Sequence, residues 1–271
     1  MKRCSVTLFA IMMFFSLTSC RRVVRAEKPR TAISVNSEVQ YEIPQLLANR
    51  SQQIIEHFAY TVSYNHEWLI PNWVAYELTD REAYGELPRS KHFLPDPLVH
   101  GDPVVTKDYS NSGYDRGHMA PAGDMKWSEQ AMRESFYMTN ICPQNHSSNA
   151  GDWKDLEEFA RDLARQYKSI YICCGPIVTD VSNTIGIQRH IVVPQFFYKV
   201  FLRQKSDGTW TSIGFVLPNT PGNRPLMTYM HSVDEVEQLT DIDFFYNLPD
   251  SVENIIEADF NIADWSTSRQ R

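Results

Sequence analysis

The chain has 271 residues, of which 42% are hydrophobic and 12% aromatic, enough to bury one large core or two small ones. The formal net charge of −7 excludes a broadly basic nucleic-acid binder of the histone type. A net acidic protein can still carry a local basic cleft, so a few arginines at a phosphate are compatible with this charge.

The first 20 residues have the pattern of a secretory signal. A short cationic start precedes an apolar run from Val6 to Leu17, which is too short to span a bilayer. The run closes in the tetrapeptide LTSC, which ends at Cys20 and resembles the bacterial lipobox. That resemblance implies cleavage before Cys20, a diacylglyceryl group on this residue, and a membrane-anchored lipoprotein of the cell envelope or extracytoplasmic side. The alternative is an ordinary secretory signal with a chance cysteine.

The residues after Cys20 divide into a tether and a body. Residues 21–40 are charged, poor in large apolar side chains and without a clear period, which predicts a tether between the membrane and a folded domain. No further linker is visible, so residues 41–271 are predicted to form one domain.

Beyond residue 40, strand-like and helix-like patterns alternate. Runs rich in β-branched and aromatic residues, bounded by turn formers, predict strands within residues 58–78, 136–143, 168–178, 190–203 and 210–219. Apolar residues at helical spacing predict a helix over residues 152–167, and shorter helices are predicted after Ser232 and near residues 251–258. Because strands outnumber helices and several are separated only by turns, the predicted fold class is α+β, with a mainly antiparallel sheet flanked by helices.

Three cysteines remain in the predicted domain, at positions 142, 173 and 174. Their spacing fits no zinc site. Cys173 and Cys174 lie in an apolar strand-like run and are expected to be buried thiols. The sequence leaves open whether Cys142 forms a disulfide.

Two polar segments are candidates for chemistry. One is residues 114–125, YDRGHMAPAGDM, in which an acid, an arginine, a glycine and a histidine are adjacent. Such residues near a proline are also common in loops without a catalytic role. Downstream, Asn149 precedes the predicted helix 152–167, and Glu157 and Arg161 lie four residues apart on it. At about 100° per residue, these two side chains share a polar stripe beside the apolar face. The alternative is a plain surface ion pair.

These segments occur in an ordered set. DRGHMAP, then TNICPQ, then N-x-x-x-W-x-x-x-E-x-x-x-R closely resemble the DNA/RNA non-specific endonuclease family, which includes mitochondrial endonuclease G and secreted bacterial nucleases. RSKHFLPDPLV, GPIV, VPQFFYKVFL and GFVLPN resemble the family's upstream arginine segment and later core strands. Several ordered motifs are far more specific than a lone DRGH. The resemblance covers roughly residues 60–219, most of the chain after Cys20. It implies that residues 41–271 form an endonuclease domain with a ββα-metal (His-Me finger) motif.

The resemblance also implies a mechanism. His118 would end the β-part of the motif and, as a neutral imidazole, take a proton from water as general base. The Asn149 amide would hold one Mg²⁺ ion, with Mn²⁺ as the alternative, and the cation would stabilise charge on the phosphate and leaving group. Asn149 also fits the N-cap of the helix, a compatible role. Glu157 is expected to hold the metal's water shell.

The remaining implied roles belong to arginines and to polar supports. Guanidinium groups pair bidentately with phosphate oxygens, so phosphate clamping is expected from Arg89, Arg116 and Arg161. Asn140 is expected to orient groups beside His118, and Asp115 to fix the loop or the imidazole tautomer. His146 departs from the family's usual residues and receives no role.

The implied activity is hydrolysis of phosphodiester bonds in DNA and RNA with little sequence preference, because phosphate contacts carry little sequence information. Substrate binding is expected to weaken sharply with salt. Two alternatives stay open: a phosphodiesterase acting on small nucleotides, and a non-catalytic envelope lipoprotein that binds a partner. Whether the protein forms a homodimer also stays open. The HExxH pattern of zinc peptidases is absent from the sequence.

Overall fold

The computed structural model of the protein describes residues 39–267. The predicted signal sequence, the lipidation at Cys20 and nearly all of the predicted tether lie outside the described residues. Val39 and the residues after it belong to one compact unit. Within residues 39–267, no helix has both the length and the apolar character needed to cross a bilayer.

A seven-stranded antiparallel sheet is the centre of the fold. Its strands, in spatial order, are β1 (Gln53–Glu56), β2 (Thr61–Asn65), β3 (Ile70–Thr79), β6 (Ser169–Ile177), β9 (Phe196–Gln204), β10 (Trp210–Pro218) and β11 (Met230–His231). Two separate antiparallel ribbons join β4 (Asp115–His118) to β5 (Ile141–Gln144) and β7 (Thr184–Ile185) to β8 (Ile191–Val192). The predicted α+β class with a mainly antiparallel sheet is confirmed.

Six α-helices flank the sheet in the described part of the chain: α1 (Asp80–Ala83), α2 (Glu129–Glu134), α3 (His146–Ala150), α4 (Asp152–Tyr167), α5 (Val233–Thr240) and α6 (Asp250–Ala258). Short 3-10 helices occupy Thr106–Tyr109, Met138–Asn140, Leu226–Tyr229 and Ile262–Trp265. The three predicted helices are confirmed. Helix α4 has the predicted bounds, and α5 begins after Ser232, whose hydroxyl accepts from the Glu235 N–H in a capping box.

Both faces of the central sheet are buried. Successive side chains of a strand point to opposite faces, so β9 contributes to two hydrophobic clusters. Phe197 and Phe201 pack in the cluster that includes α4, whereas Tyr198, Val200 and Leu202 pack in the cluster that includes α5. Burial on both faces explains why β6, β9 and β10 read as nearly continuous apolar runs. Cys173 and Cys174 point to opposite faces, and both are buried free thiols, as is Cys142.

Helix α4 is held against the sheet by its apolar face. Trp153, Leu156 and Leu163 are fully buried there, and each such side chain stabilises the fold by about 1.5–3 kcal/mol relative to exposure. Glu157 and Arg161 lie half-buried beside this face, so the predicted polar stripe is confirmed. The burial of α4 therefore fixes where these two charged groups stand.

Asn149 does not lie on α4. The chain breaks at Gly151, the N-cap residue of α4, which adopts φ −110° and ψ −110°. A Cβ at Gly151 would lie 2.6 Å from the Ser147 carbonyl oxygen, so the tight junction between α3 and α4 needs glycine. The expectation that Asn149 caps the long helix is wrong, because Asn149 lies inside the short helix α3, which Asn145 caps.

Replacing Leu156 by alanine tests the anchoring of α4. Leu156→Ala is expected to lower the free energy of unfolding by about 2–5 kcal/mol, because it removes buried apolar volume. Glu158→Ala on the same helix removes a partly exposed ion pair with Lys154 and should change it by no more than about 0.5 kcal/mol. Urea denaturation measures both, and equal effects of the two changes would contradict this packing.

Candidate active site

The ribbon β4–β5 and helix α3 form a ββα unit at the edge of the cluster that includes α4. Asp115 pairs with Gln144 and His118 with Ile141 across the ribbon, and α3 begins two residues after β5 ends. A Cβ at Gly117 would lie 2.7 Å from the Gln144 Cβ, so the close approach of the strands explains the glycine of DRGH. His118 is the last residue of β4, where the resemblance placed it.

Asn140 holds the backbone that follows His118. Its amide nitrogen donates to the Ala120 and Ser135 carbonyl oxygens, both at 2.8 Å, and its amide oxygen accepts from the Ala120 N–H at 2.9 Å. The Asn140 carbonyl also accepts from the Met119 N–H at 3.0 Å. All of these groups are buried. Each bond therefore satisfies a donor or acceptor that would destabilise the fold if it were left without a partner. The geometry fits the predicted orienting role of Asn140, exerted through the backbone.

Lys199 supports the same segment from the sheet. Its side chain is fully buried in β9, its ammonium donates to the Met119 carbonyl oxygen at 3.3 Å, and it lies 4.6 Å from the centre of the Trp153 ring. The Trp153 indole in turn donates to the His118 carbonyl oxygen at 3.1 Å. Burying an ammonium group without such partners would be strongly unfavourable. Lys199 and Trp153 therefore fix the carbonyls of His118 and Met119.

His118 is a buried, neutral imidazole. Only 5% of the residue is exposed, and its ring packs 4.7 Å from Phe136 and 5.4 Å from Phe93, measured between ring centres. Its Nε2 atom has no hydrogen-bond partner among the described residues. Burial, assisted by the positive charges of Arg89 and Arg116, lowers the pKa of His118 to about 3. The imidazole is therefore available to accept a proton at neutral pH.

Two arginines stand over the rings that enclose His118. The Arg116 guanidinium lies 4.5 Å from the centre of the Phe93 ring, and that of Arg89 lies 5.6 Å from the centre of Phe136. Both distances fit cation–π contacts. The same aromatic rings thus bury the histidine, which is the larger cause of its lowered pKa, and contact the two arginines whose positive charges lower the pKa further.

Asp115 contacts Asn149 rather than His118. Its Oδ2 atom accepts from the Asn149 amide nitrogen at 2.9 Å and lies 2.9 Å from Nδ1 of His146. Of the two roles expected for Asp115, setting the His118 tautomer has no hydrogen bond behind it among the described residues. Fixing the neighbouring chain fits, because Asp115 sets the direction of the Asn149 amide. His146, to which sequence gave no role, joins the site through this contact.

The pKa of Glu157 depends on its burial and on basic and acidic neighbours. Burial raises the pKa of Glu157 to about 7, the Lys199 ammonium opposes this rise, and the Asp124 carboxylate adds to it. A carboxyl group in this range can gain or lose a proton near neutral pH. A cation placed beside it would favour the ionised form.

Arg161 is bound to Asp124. Its Nη1 atom lies 2.7 Å from Oδ1 of Asp124, whose second oxygen accepts from the Tyr76 hydroxyl at 2.8 Å. Burial alone would lower the pKa of Arg161, but Asp124 outweighs this and holds the pKa above its ordinary value. The alternative of a surface ion pair with Glu157 is wrong, because within the described chain Arg161 pairs with the buried Asp124.

These groups converge on a cleft of about 270 Å³. Its lining includes predicted site residues and some that sequence did not single out: Arg89, Asp115, His118, Pro121, Ala122, Gly123, His146, Asn149, Ala150, Lys154 and Glu157. The other three predicted residues stand around it. Arg116 is exposed over Phe93, Asn140 is buried behind the ribbon, and Arg161 lies against Gly123.

Sequence reasoning missed the residues that support the cleft: Tyr76, Phe93, Asp124, Phe136, His146 and Lys199. One of them carried a signal. Lys199 interrupts the apolar run FFYKVFL of a strand predicted to be buried, and a lysine at such a position needs a specific partner. Asp124 lies in the segment 114–125 but was given no role. The others meet the site only through tertiary contacts.

The fold and the site together define an endonuclease G-like protein. A chain in the crystal structure of the EndoG/EndoGI complex superimposes with a TM-score of 0.70 and 29% sequence identity, covering 78% of this chain and 91% of that one. The sequence profile of the DNA/RNA non-specific endonuclease family matches residues 40–251. The chain therefore belongs to the DNA/RNA non-specific endonuclease family, whose members are typically metal-dependent.

Relatives from distant organisms agree with this assignment. The chain is 35% identical over 225 residues to the mitochondrial nuclease EXOG of Xenopus laevis, covering 77% of this chain and 62% of that protein. It is 29% identical over 222 residues to human mitochondrial endonuclease G, covering 77% and 73%. A nuclease of Nostoc sp. is 32% identical over 212 residues, covering 73% and 75%. The chain thus spans less than two thirds of the Xenopus protein.

The environment of His118 predicts its titration. With a pKa near 3, His118 should stay neutral from pH 8 to pH 5, whereas in the unfolded chain it titrates near about 6.5. The folded state then binds fewer protons between these values, so this group makes the protein less stable as pH falls below about 6.5. NMR of histidine-labelled protein should show no His118 titration above pH 5, with His118→Gln identifying the signal and flattening the pH dependence of stability. A midpoint above about pH 5.5 would contradict the prediction.

Proposed function

We propose that the protein is a metal-dependent endonuclease that hydrolyses phosphodiester bonds in DNA and RNA. The observation that carries this proposal is His118, a neutral imidazole that lines the same cleft as Arg89 and the Asn149 amide. Membership of the DNA/RNA non-specific endonuclease family supports it. Phosphodiester hydrolysis needs a base for water, cations for the phosphate and stabilisation of the leaving oxygen.

The cleft residues fit a hard divalent cation. The Asn149 amide nitrogen donates to Asp115, so its carbonyl oxygen is the atom left for a metal. Glu157 lines the same cleft and would accept hydrogen bonds from the ion's waters. Mg²⁺ binds oxygen ligands and keeps several waters, so one protein oxygen suffices, with Mn²⁺ as the alternative. When bound, the ion supplies positive charge for the phosphate and the departing 3′-oxygen.

The protein's own groups then have distinct tasks. His118 takes the proton of the attacking water, and Phe93 and Phe136 keep its imidazole away from bulk solvent. Arg89 and Arg116 bind phosphates, because guanidinium groups pair bidentately with phosphate oxygens. Arg161 offers its remaining nitrogens to a phosphate while Asp124 holds Nη1. Because these side chains would bind phosphates rather than base edges, the enzyme should show little preference for the nucleotide sequence of its substrate.

Cleavage assays with matched histidine variants test the proposal. Purified full-length protein is incubated with supercoiled plasmid, with RNA and with a small chromogenic phosphodiester, in Mg²⁺ or EDTA. We expect nicking and linearisation of plasmid and degradation of RNA, both abolished by EDTA. His118→Ala should lower the rate by about 10²–10⁴-fold, the contribution of a general base. His100→Ala, which changes an exposed histidine in a loop, should retain wild-type activity.

Each outcome discriminates between functions. Circular dichroism must show that both variants fold. Cleavage of the small diester without cleavage of either polymer would favour a phosphodiesterase acting on small nucleotides. No cleavage of any substrate by folded, Mg²⁺-supplied wild type would overturn the enzymatic proposal and favour a binding role in the cell envelope. Equal activity of His118→Ala and wild type would remove His118 as the base.

We further propose that Cys20 is lipidated and anchors the protein to a membrane, with residues 21–40 as tether. The apolar run from Val6 to Leu17 followed by LTSC supports this assignment. More than one acyl chain is needed for a stable anchor, since a single chain binds only marginally.

Labelling with radioactive palmitate in a bacterial host tests the anchor. Wild type should incorporate label and sediment with membranes, whereas Cys20→Ser should incorporate none. Cys4→Ser, which changes the other cysteine of the signal, serves as the control and should be labelled like wild type. Unlabelled wild-type protein released into the soluble fraction would favour an ordinary secretory signal.

A further inference from the structure

A second group of acidic side chains lies between α5 and α6, in the layer on the other face of the sheet from α4. Asp234 and Glu237 belong to α5, and Glu257 belongs to α6. One carboxylate oxygen from each of the three lies within 4.8 Å of the others. Oxygen ligands at this spacing can share one cation.

Glu257 is the residue that sets this group apart from ordinary surface acids. It is 3% exposed, and its Oε1 atom has no hydrogen-bond partner among the described residues. Burying an ionised carboxylate without a partner is strongly unfavourable. The side chain is nevertheless directed at two further carboxylates.

The helix ends make this arrangement more costly. Glu237 lies in the last turn of α5 and Glu257 in the last turn of α6, and neither last turn contains a basic residue. The C-terminal end of a helix carries partial negative charge, which favours cations and disfavours carboxylates. Arg50 supplies such a charge to the end of α5, where its guanidinium donates to the Thr240 carbonyl oxygen. Glu257 stands at the end of α6, whose own last turn contains no basic residue.

The surrounding charges add to the repulsion. Burial, followed by Glu237, Glu253, Asp234 and Asp243, raises the pKa of Glu257 to about 9. Burial also raises the pKa of Glu237 to about 7, although the Phe244 N–H donates to its Oε1 at 2.7 Å. The charged groups that act on both glutamates are acidic. A cation would offset all of these unfavourable contributions at once.

We propose that Asp234, Glu237 and Glu257 form a binding site for Ca²⁺ that ties α5 to α6, separate from the catalytic cleft. Ca²⁺ accepts six to eight oxygens in flexible geometry, which suits carboxylates from two different helices completed by water. Mg²⁺ fits less well, because it requires near-ideal octahedral geometry and gives up its waters reluctantly. The site would be structural, since it lies on the face of the sheet opposite His118.

Calorimetric titration with Ca²⁺ tests the site. The full-length chain carries Asn149→Ala, which removes the proposed metal ligand of the cleft, and is dialysed first against EDTA and then against metal-free buffer. We expect one Ca²⁺ per chain with a Kd below about 1 mM. At a Ca²⁺ concentration one hundred times the Kd, Tm should rise by about 5–10 °C.

Charge-neutral variants decide whether these residues hold the ion. Adding Glu257→Gln should weaken Ca²⁺ binding by at least about tenfold and abolish the rise in Tm. Asp259→Asn removes a charge just beyond the same helix and should leave the Kd within about twofold. Asp234→Asn, at a half-buried position, provides a second ligand variant if Glu257→Gln does not fold. No binding up to about 10 mM Ca²⁺, or equal Kd values in Glu257→Gln and its parent, would overturn the proposal.

Discussion

The candidate site depends on hydrogen bonds that hold the peptide groups from His118 to Ala120 from behind. Trp153 binds the His118 carbonyl, Lys199 binds that of Met119, and Asn140 binds both polar groups of Ala120. These donors and acceptors are buried, so each bond lost would leave an unsatisfied polar group. The imidazole is thus placed by its backbone, and His118 lines the cleft.

Burying polar groups without partners destabilises a fold, and the buried charged groups behind the cleft have partners. Lys199 is surrounded by a carbonyl, an indole ring and the field of Glu157, and Asp124 accepts from Arg161 and Tyr76. Fully paired networks of this kind are rigid, whereas a half-paired network costs more than an apolar core. This requirement explains why the sheet face beneath the cleft is not uniformly hydrophobic.

Sequence predicted the regular elements well and the supporting contacts poorly. Helix α4 and the central strands were predictable because their periodicity is set by burial. The short elements β1, α2 and α3 carry too few residues for a period, and their existence depends on tertiary contacts. For Asp115 the sequence left two roles open, and it could not show the contact with Asn149, since that contact joins residues 34 positions apart. The ordered motifs identified the residues near the cleft, but spacing along the chain could not show which of them touch.

The break at Gly151 divides the cleft into two separately anchored walls. Asn149 is tied to the ribbon through Asp115, whereas Glu157 is fixed to the sheet by the buried face of α4. Asn149, the proposed metal ligand, and Glu157, which would hold the ion's waters, are therefore joined along the chain through the tight turn at Gly151. A change in the ribbon would therefore act first on Asn149 and leave Glu157 on its own anchor, so the proposed metal ligand and the support for the ion's waters can change separately.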